Sequence, residues 1–553
     1  MNNILTGRSF DAYKTLGCHP CGDGLSFTFY EPNAEKVSIC FGGRSVPCTD
    51  MGDGSFRYIT DENIGEYCEE VTLKTGETIR KADPYAFLSA DIPKNGSKVC
   101  TEDFSWTDGE WLKNRTLCHD KPMNIYEVHA GSWRKNSGFS VLRDELVPYA
   151  REMGYTHIEL MPVTCHPNLN SWGYQSSGYF CTCPAFGTPD ELKGFVDACH
   201  ANGIGVIFDL SLVHFAADEW ALDHADNVVY GGEISPWGSP KFNVKSPYVR
   251  SFLQSAAAFA ADRYHADGLR IDAVSEYMND TDGEKFLREL TEGLHKLFPP
   301  LMLIAEDSSI SEKVTAPVKD GGFGFDYKQN LGWMNDTFAY MSAPVWYRPM
   351  YDNAFMYPAG YADNASYILP LSHDECVHEK GALPMKMYGS EEQKLASVRL
   401  LYLYMTFFRG KKLSFMGNEL GIFSEWSEDG GLDFSILRKP ENKAFHEYIR
   451  QLNVFYLNTP LLWKTDDENS FEWRDFSRIK SVFVGRRTGG GQSLKLLLNF
   501  SLSPQTVNFF PDDDISEILI ATADGASVSR ISDGYSAYLP PVSGIIAGNM
   551  KIR

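Results

Sequence analysis

Strand-like and helix-like segments alternate along residues 123–457, and this alternation constrains the fold more than any other feature of the sequence. Strands that alternate with helices form a parallel sheet, and eight such units close into a barrel. The sequence therefore predicts an α/β protein built on a (β/α)8 TIM barrel. The eight strand-like runs are 123–130, 157–162, 205–212, 268–274, 301–308, 323–328, 367–372 and 412–417. Helices are predicted over 140–153, 189–202, 247–265, 283–297, 391–408 and 441–457.

The regions before and after this alternation have a different pattern. Residues 1–105 contain short β-branched and aromatic runs separated by Gly, Pro and Asp. The region after residue 460 repeats that pattern, with strands predicted at SVFVGRRT, SLKLLLNF, QTVNFF (505–510), EILIAT and YSAYLP. We therefore predict β-sandwich domains on both sides of the barrel. The predicted boundaries are 1–105 for the N-terminal sandwich, 106–121 for a linker, 122–459 for the barrel and 460–553 for the C-terminal sandwich.

The charge of the chain excludes two classes of partner. The 73 Asp and Glu residues outnumber the 51 Lys and Arg residues, which gives a net charge of −22, and the acidic residues are dispersed. Such a surface repels nucleic acid and anionic membranes but does not hinder a neutral substrate. The sequence also lacks a run of 18 apolar residues, so we expect no membrane span.

Two further features of the sequence predict the cellular location of the protein and the redox state of its cysteines. The first ten residues, MNNILTGRSF, lack the basic and apolar regions of a signal peptide. Twelve cysteines in 553 residues are not a disulfide scaffold, and neither the Cys18–Cys21 nor the Cys181–Cys183 pair has a second pair at zinc-ribbon spacing. We therefore expect a cytoplasmic protein with reduced thiols. The sequence leaves the oligomeric state open, a monomer included.

Ionisable residues stand at the carboxyl ends of five predicted strands. In β/α barrels these ends share one rim, and catalytic side chains are placed there. Each residue alone could be a structural loop cap, but that interpretation gives no reason for all of them to choose the same rim. Charged groups are costly to bury unless they are paired, so the clustering favours a functional site. The residues are His129, Asp209, Asp272, Glu306 and the pair His373–Asp374.

Two of these carboxyls fit the requirements of glycoside cleavage, in which one carboxylate attacks the anomeric carbon and the other protonates the leaving oxygen. Asp272 and Glu306 follow consecutive strands. Arg270 lies on the same side of its strand as Asp272, so we expect it to keep Asp272 ionised, as a nucleophile must be. Negative charge from Asp272 and Asp374 is expected to raise the pKa of Glu306, as an acid requires.

The barrel motifs, among them DGLRIDAV, IAEDS and LPLSHDE, resemble those of the α-amylase superfamily and, within it, of the 1,4-α-glucan branching enzymes. The resemblance covers about 122–458, and the N-terminal segments YKTLGCHP and FYEPNAEKVSICF resemble the glycogen-binding-type β-sandwich that precedes these barrels. The barrel motifs are IYEVHAGSWR, SWGYQSSGYF, GVIFDLSLVHF, DGLRIDAV, IAEDS, LPLSHDE, GGFGFDYKQNLGWMNDT and FMGNELGIFSEWSEDGGLDFSIL.

This resemblance implies a role for each matching position. Asp272 matches the nucleophile, Glu306 the acid/base, and Asp374 the third carboxylate, which holds hydroxyls of the distorted sugar ring. Arg270 matches the arginine beside the nucleophile, and His214 and His373 match two histidines that bond the same sugar. Asp209 and Tyr174 match residues of the first subsite. For Tyr174, the pattern without the resemblance favours ordinary packing.

The sequence departs from the family pattern near the predicted cleft. Leu212-Val213 replace a Pro-Gly that is usual in branching enzymes, Cys165 replaces a common Glu, and Glu379 replaces a common Gly. Calcium-binding amylases have an Asn directly before the histidine, whereas Val213 offers no side-chain oxygen to a cation that prefers oxygen ligands. We therefore predict no metal and no cofactor. His373 and His378 lack the H-E-x-x-H spacing of a zinc pair.

Three functions are compatible with this set of predicted site residues. The first is a branching transferase that cuts α-1,4 bonds of glycogen, amylose or amylopectin and rejoins the piece through an α-1,6 bond. The second is an amylase or debranching hydrolase with the same residues, because only the second step distinguishes attack by water from attack by a glucan hydroxyl. The third, a non-catalytic glucan-binding protein, is disfavoured by the complete set of Asp272, Glu306 and Asp374. Motif spacing does not separate the first two, and only the resemblance favours transfer.

Overall fold

A closed parallel barrel forms the centre of the protein, as predicted. The structure, a computed structural model, describes residues 3–91, 96–101, 103–218, 222, 229–464, 471–489, 491–509 and 517–548. Each barrel strand pairs with the next in the chain, and the eighth pairs in parallel with the first, which closes the ring. The strands are β1 Asn124–Val128, β2 His157–Leu160, β3 Gly205–Leu210, β4 Gly268–Ile271, β5 Met302–Ala305, β6 Tyr327–Gln329, β7 Tyr367–Leu371 and β8 Lys411–Phe415.

α-Helices follow seven of the eight strands in the part of the chain that the structure describes, and β5 is followed by 3-10 turns. Capping residues in the sequence determine where several of these helices begin. Thr188 and Glu191 form a reciprocal capping box, and Ser390 and Gln393 form another. A helix covers Phe139–Glu152 with a π-helical segment at Leu142–Leu146. The other helices around the barrel are Pro189–Ala201, Pro247–Arg263, Thr281–Leu297, Leu331–Ser342, Asp352–Met356, Glu391–Phe407 and Pro440–Leu457.

The interior of the barrel changes from apolar to charged along the strands. An apolar layer near the amino-terminal ends includes Ile125, Ile207 and Ile304, all fully buried. Side chains two residues further along a strand point to the same side, and there the sequence has Glu127, Asp209 and Glu306. Strand alternation therefore directs these carboxyls to the rim where β/α barrels carry their sites.

Two antiparallel sheets precede the barrel and enclose a small core that includes Phe27, Val37, Ile39 and Val71. One sheet contains Gly17–Cys21, Gly24–Tyr30, Ser55–Thr60 and Thr49–Asp50. The other contains Arg44–Pro47, Ala34–Phe41, Glu66–Leu73, Thr78–Lys81, Ser97–Lys98 and Leu88–Ser89. This arrangement agrees with the predicted N-terminal sandwich.

Two further sheets follow the barrel, again as predicted. Three of their strands were not predicted: Phe471–Ser477 is rich in charged residues, Ser527–Ile531 is short and polar, and Ser543–Gly548 contains glycines at both ends. Phe510, the last residue of the strand predicted over 505–510, lies outside the described residues. The sheets contain Phe471–Ser477, Val482–Gly489, Gln492–Asn499, Ser543–Gly548 and Glu517–Ala521, and Gln505–Phe509, Gly534–Leu539 and Ser527–Ile531.

The segment predicted as a linker is packed onto the amino-terminal end of the barrel. It contains the short helix Gly109–Asn114, and Trp111 donates a hydrogen bond of 2.8 Å to Asp267. The buried His200 ring lies between Asp108 at 2.8 Å and Asp267 at 2.9 Å. These contacts fasten the segment to the barrel, while the boundaries at 105, 121 and 459 stay predictions. Among the described residues, none of the helices combines the length and apolar character needed to cross a bilayer.

Candidate active site

The structure places most of the ionisable strand-end residues around one cleft, but His129 is buried outside the described lining, against Ser132 and Phe186. Asp272 follows β4 by one residue, Glu306 follows β5 by one, and Asp374 follows β7 by three. The cleft has a volume of about 570 Å³. Of the residues predicted for the site, those that line it are Tyr174, His214, Asp272, Glu306, His373 and Asp374.

Asp209 and Arg270 are absent from the described lining, and they support it from beneath. The Arg270 Nη1 atom donates to Oδ2 of Asp209 at 2.7 Å and to Oδ1 of Asp272 at 3.0 Å. Tyr174 donates to Oδ2 of Asp209 at 2.6 Å. One buried guanidinium thus bridges two carboxylates, and it holds the Asp272 side chain in one orientation.

Glu306 is oriented by the backbone that follows Asp272. Ala273 has a left-handed backbone with φ of 51°, and its N–H donates to Oε2 of Glu306 at 2.8 Å. The N–H of Val274 donates to the Glu306 carbonyl at 3.0 Å. The turn after β4 is thereby joined to the end of β5, which fixes the two candidate catalytic carboxyls relative to one another.

His373 is held by a carboxylate that sequence reasoning did not select. Glu127, fully buried in β1, accepts from the His373 backbone N–H at 2.8 Å and from its Nδ1 at 2.6 Å. The His373 Nε2 lies 3.3 Å from Oδ1 of Asp374. A signal for Glu127 was present in IYEVHA, because a charged residue at an inward position of an apolar strand needs a buried partner.

The cleft is also lined by aromatic residues, of which Tyr174 was predicted and Trp172 and Trp237 were not. The Tyr174 ring stacks on His373 with centroids 5.4 Å apart, and Trp172 contacts the His378 ring at 5.0 Å. The Trp237 and His214 rings, which also line the cleft, are in contact with centroids 5.0 Å apart. Nothing in the local sequence marks Trp172 beyond the motif that contains it, and nothing marks Trp237.

Burial raises the pKa of Asp272 to about 8, and the carboxyls of Glu306, Asp209 and Asp374 add to the rise while Arg270 opposes it. The ion pair expected from the sequence is present, but it does not outweigh burial and three nearby carboxyls. Burial likewise raises the pKa of Glu306, while Arg270 and the Ala273 N–H oppose the rise and Asp374 and Asp209 add to it. The direction agrees with the expectation, but burial and not neighbouring negative charge is the main cause. Among the described contacts, Arg270 donates a hydrogen bond to Asp272 and none to Glu306. When Asp272 and Glu306 share one proton, that proton is therefore more stable on Glu306.

The pKa of the third carboxyl, Asp374, is shifted in the opposite direction. Burial alone would raise the pKa of Asp374, but His373 and Arg270, helped by Lys380 and His378, lower it below its ordinary value. Burial opposes the charged form of His373 as well, yet Asp374 and Glu127 raise its pKa to about 9. At neutral pH the rim therefore presents an anionic Asp374 beside a cationic His373.

A strained loop follows Asp374. His378 and Glu379 have φ of 58° and 64°, a left-handed region that residues other than Gly adopt at a cost of about 1–3 kcal/mol. This geometry explains why a Gly is common where Glu379 stands. The Glu425 carboxylate accepts the N–H of Glu379 at 3.0 Å and that of Gly381 at 2.8 Å. Lys380 from this loop donates to the Asp374 carbonyl at 2.8 Å.

The side chains at the remaining departures are buried. Val213 is fully buried, and its carbonyl accepts from Phe242. Cys165 is buried next to Cys181, and all twelve cysteines, which lie within the described residues, are free thiols. Within the same residues, no group of three or more His, Cys, Asp or Glu side chains is arranged to hold a metal ion.

Comparison with protein families gives two matches. Residues 144–228 match the family described as alpha amylase, catalytic domain. Residues 1–85 match the family described as alpha-1,4-glucan branching enzyme GlgB, N-terminal domain. The first match includes part of the described rim, with Tyr174, Asp209 and His214.

Individual relatives match along most of their length. The 1,4-alpha-glucan branching enzyme GlgB of Bacillus caldolyticus is 38% identical over 535 residues, which cover 90% of this chain and 80% of that protein. The protein of the same name from Marinobacter nauticus is 37% identical over 550 residues, covering 90% and 87%. A pullulanase from Paenibacillus barengoltzii shares the fold, with a TM-score of 0.75 at 16% identity over 97% of this chain and 94% of that one. From the extent of the two sequence matches, the chain belongs to the 1,4-alpha-glucan branching enzyme family within the α-amylase superfamily.

Proposed function

We propose that this chain is a 1,4-α-glucan branching enzyme that cleaves α-1,4 bonds by a retaining double displacement and forms α-1,6 branches. The observation that carries the proposal is the grouping of Asp272, Glu306 and Asp374 on one cleft, in a chain whose relatives bear this name. Its substrates are α-glucans such as glycogen, amylose and amylopectin. A cytoplasmic location and a role in making glycogen-like polymers belong to the same proposal.

In the first step, the Asp272 carboxylate attacks the anomeric carbon, and the bond from that carbon to the leaving oxygen breaks. Glu306 gives its proton to that oxygen, so the shortened glucan leaves as an alcohol. The hydrogen bond from Arg270 favours an ionised Asp272, and the raised pKa of Glu306 favours a protonated acid. Burial raises the pKa of Asp272 as well, to about 8, so the first step proceeds from the form in which the shared proton lies on Glu306; Arg270 favours that form because it bonds Asp272 and not Glu306 in the described contacts.

In the second step, the 6-hydroxyl oxygen of an acceptor glucan attacks the same carbon, and the bond to Asp272 breaks. The carboxylate of Glu306 takes the hydroxyl proton, which restores both groups to their starting states. We assign Asp374, His214 and His373 to hydroxyls of the bound sugar. Tyr174 packs against that sugar, and Asp209 and Arg270 position Asp272 from beneath.

The test measures the linkage formed from amylose. We expect iodine colour to fall, α-1,6 anomeric signals to appear by proton NMR, and reducing ends to rise little. Asp272→Ala should lower the rate by several orders of magnitude with glucan binding retained, because it removes the covalent nucleophile. If reducing ends rise in step with colour loss and no α-1,6 signal appears, the protein is a hydrolase. An Asp272→Ala protein with more than about a hundredth of wild-type activity would contradict the assignment of the nucleophile.

A further inference from the structure

A buried glutamate in the barrel wall has no role in the scheme above. Glu159 lies in β2, and its side chain is fully buried. Neither of its carboxyl oxygens has a hydrogen-bond partner among the residues that the structure describes. A buried polar group that stays unbonded lowers the stability of a protein, so a carboxyl retained in such a place needs a physical explanation.

The strand register places Glu159 inside the barrel, next to the charged layer of the site. Glu159 pairs with Glu127 on β1 and with Ile207 on β3, and both of these side chains point inward. Residues that pair across neighbouring parallel strands share a face of the sheet. Asp209 lies two residues beyond Ile207 on that same face, and it pairs with Arg270 on β4. Glu159 is therefore one strand away from Asp209 and two strands away from Arg270 on the inner surface.

Two other buried atoms of this layer also lack partners. The Nη1 atom of Arg270 bonds both Oδ2 of Asp209 and Oδ1 of Asp272. The Nε–H of Arg270 and Oδ1 of Asp209 have no hydrogen-bond partner within the described part of the chain. The three adjacent strands β2, β3 and β4 thus bring together one N–H donor, one carboxylate oxygen and one carboxyl group that remain unbonded. Groups of this kind are the usual binding partners of an internal water molecule.

The surroundings of Glu159 favour its neutral form. Burial raises the pKa of Glu159 well above its ordinary value, and the carboxyls of Glu127 and Asp209 add to the rise. The cations Arg270 and His373 oppose it. A protonated carboxyl carries one O–H donor and a carbonyl acceptor, whereas a carboxylate only accepts. Glu159 can therefore donate a hydrogen bond in a layer where its neighbours are mostly acceptors.

The unbonded atoms on these strands match the capacity of one water molecule. Glu159 and Arg270 each supply a donor, the O–H and the Nε–H, and Oδ1 of Asp209 supplies an acceptor. A water molecule can accept two hydrogen bonds and donate two, and internal waters typically make about three. One water between the three side chains accepts from both donors and donates to Asp209.

We infer that Glu159 is a positioning residue for the reaction, because it binds an internal water molecule that also bonds Asp209 Oδ1 and Arg270 Nε. The water fixes the Nε side of the guanidinium, while Nη1 of the same group donates to Asp272 at 3.0 Å. A guanidinium held on both sides keeps one orientation toward Asp272. The inference rests on the role of Asp272 as the nucleophile in the proposed function.

The experiment compares Glu159→Gln, Glu159→Leu and a matched control, Ile207→Val. Ile207 is fully buried and pairs with Glu159, so its replacement loosens the packing at the same place without any polar change. The initial rate of iodine colour loss on amylose is measured across pH, because it follows cleavage whether the glucan piece is transferred or hydrolysed. High-resolution crystal structures of the wild type and of Glu159→Gln show whether the water is bound.

Glu159→Gln should keep kcat within about twofold and leave the pH profile unchanged, because the amide is uncharged and also offers a donor and an acceptor. Glu159→Leu has a similar volume but no polar atom, and we expect its kcat to fall about tenfold. Its acidic limb of kcat/KM should move to higher pH, because a less well oriented Arg270 lowers the pKa of Asp272 less. Ile207→Val should keep the wild-type acidic limb.

Four results would overturn the inference. They are a wild-type kcat and acidic limb in Glu159→Leu, the same shift of the limb in Ile207→Val, a limb at lower pH in Glu159→Gln, which would show that Glu159 is ionised, and a wild-type crystal structure without a water bonded to Glu159, Asp209 and Arg270. The crystal structure decides if Glu159→Leu does not fold. A wild-type enzyme that forms no α-1,6 bonds would instead contradict the proposed function, and the variants would still differ in cleavage as stated.

Discussion

Arg270 donates a 3.0 Å hydrogen bond to Asp272, and both residues belong to the same short stretch at the end of β4. The same Nη1 atom is 2.7 Å from Asp209, so one buried cation serves two acidic groups. This sharing divides the stabilisation that Arg270 gives to an ionised Asp272. It explains why burial and the nearby carboxyls prevail in raising the pKa of Asp272 to about 8.

Replacement of Asp209, the second partner of Arg270, should shift the dependence of kcat/KM on pH. Asp209 raises the pKa of Asp272, so Asp209→Asn should lower that pKa and leave Asp272 ionised at lower pH. The acidic limb of kcat/KM against pH should then shift to lower pH, although the rate at the optimum falls because Arg270 is less well oriented. An acidic limb that stays in place or moves upward would show that Asp209 does not act through this charge.

Removal of the proton donor should affect natural and activated substrates differently. Glu306→Gln should act on amylose at least about a hundredfold more slowly, because a glucan leaving group needs a proton. It should still form a covalent adduct from an α-maltosyl fluoride, whose leaving group needs none. Mass spectrometry of the trapped protein checks this, with Asp272→Ala as the control that forms no adduct. A folded Glu306→Gln protein without an adduct would count against Glu306 as the acid.

The Glu127–His373 pair should make stability depend on pH. The pKa of the His373 ring is raised from 6.5 to about 9 in the folded protein, so its contribution is fully present below pH 6.5 and is lost as the pH rises through 9. This shift corresponds to at most about 3 kcal/mol. Glu127→Gln should remove part of it, so its loss of stability relative to wild type should be larger at pH 6 than at pH 9.5. Urea unfolding at the two pH values measures the difference, and an equal loss at both would refute the linkage.

Glu425 should act on the reaction through the strained loop. Its carboxylate holds two backbone N–H groups of the segment that carries Lys380 to Asp374. Glu425→Ala should release the left-handed His378 and Glu379 and lower kcat about tenfold or more. Asp429→Ala, an exposed acidic change in the same segment, is the matched control. Equal kcat values in the two variants would show that Glu425 does not position the loop.

Chelation should leave activity and thermal stability unchanged. The prediction rests on Val213, which has no side-chain oxygen at the position where calcium-binding amylases carry an amide ligand. Activity on amylose and the Tm are measured after incubation with EDTA and dialysis. Activity that is lost in the chelator and restored by calcium would refute the prediction.

The sequence by itself determined the barrel and the rim. Alternating strands and helices have few closed arrangements, and strand periodicity fixes which side chains face inward, so Asp209, Arg270, Asp272 and Glu306 could be located from their positions in short motifs. The shortest barrel strand, Tyr327–Gln329, overlaps the run predicted over 323–328 only at residues 327 and 328, because a three-residue strand has almost no alternating pattern of its own. The strand Phe471–Ser477 was not predicted, because its charged pattern is stabilised by cross-strand neighbours that the local sequence does not reveal.

Only the tertiary structure decided how the site is tuned. Glu127 and His373 are 246 residues apart, and Glu425 reaches a loop 44 and 46 residues away, so no local spacing indicates either contact. The pKa of Asp272 depends on burial and on four charged groups from separate strands, and the sequence indicated only its nearest neighbour, Arg270. Trp237 lines the cleft only because a hairpin without a recognisable motif places its ring beside His214. Electrostatics and exposure are sums over neighbours in space, and those neighbours are assigned by folding.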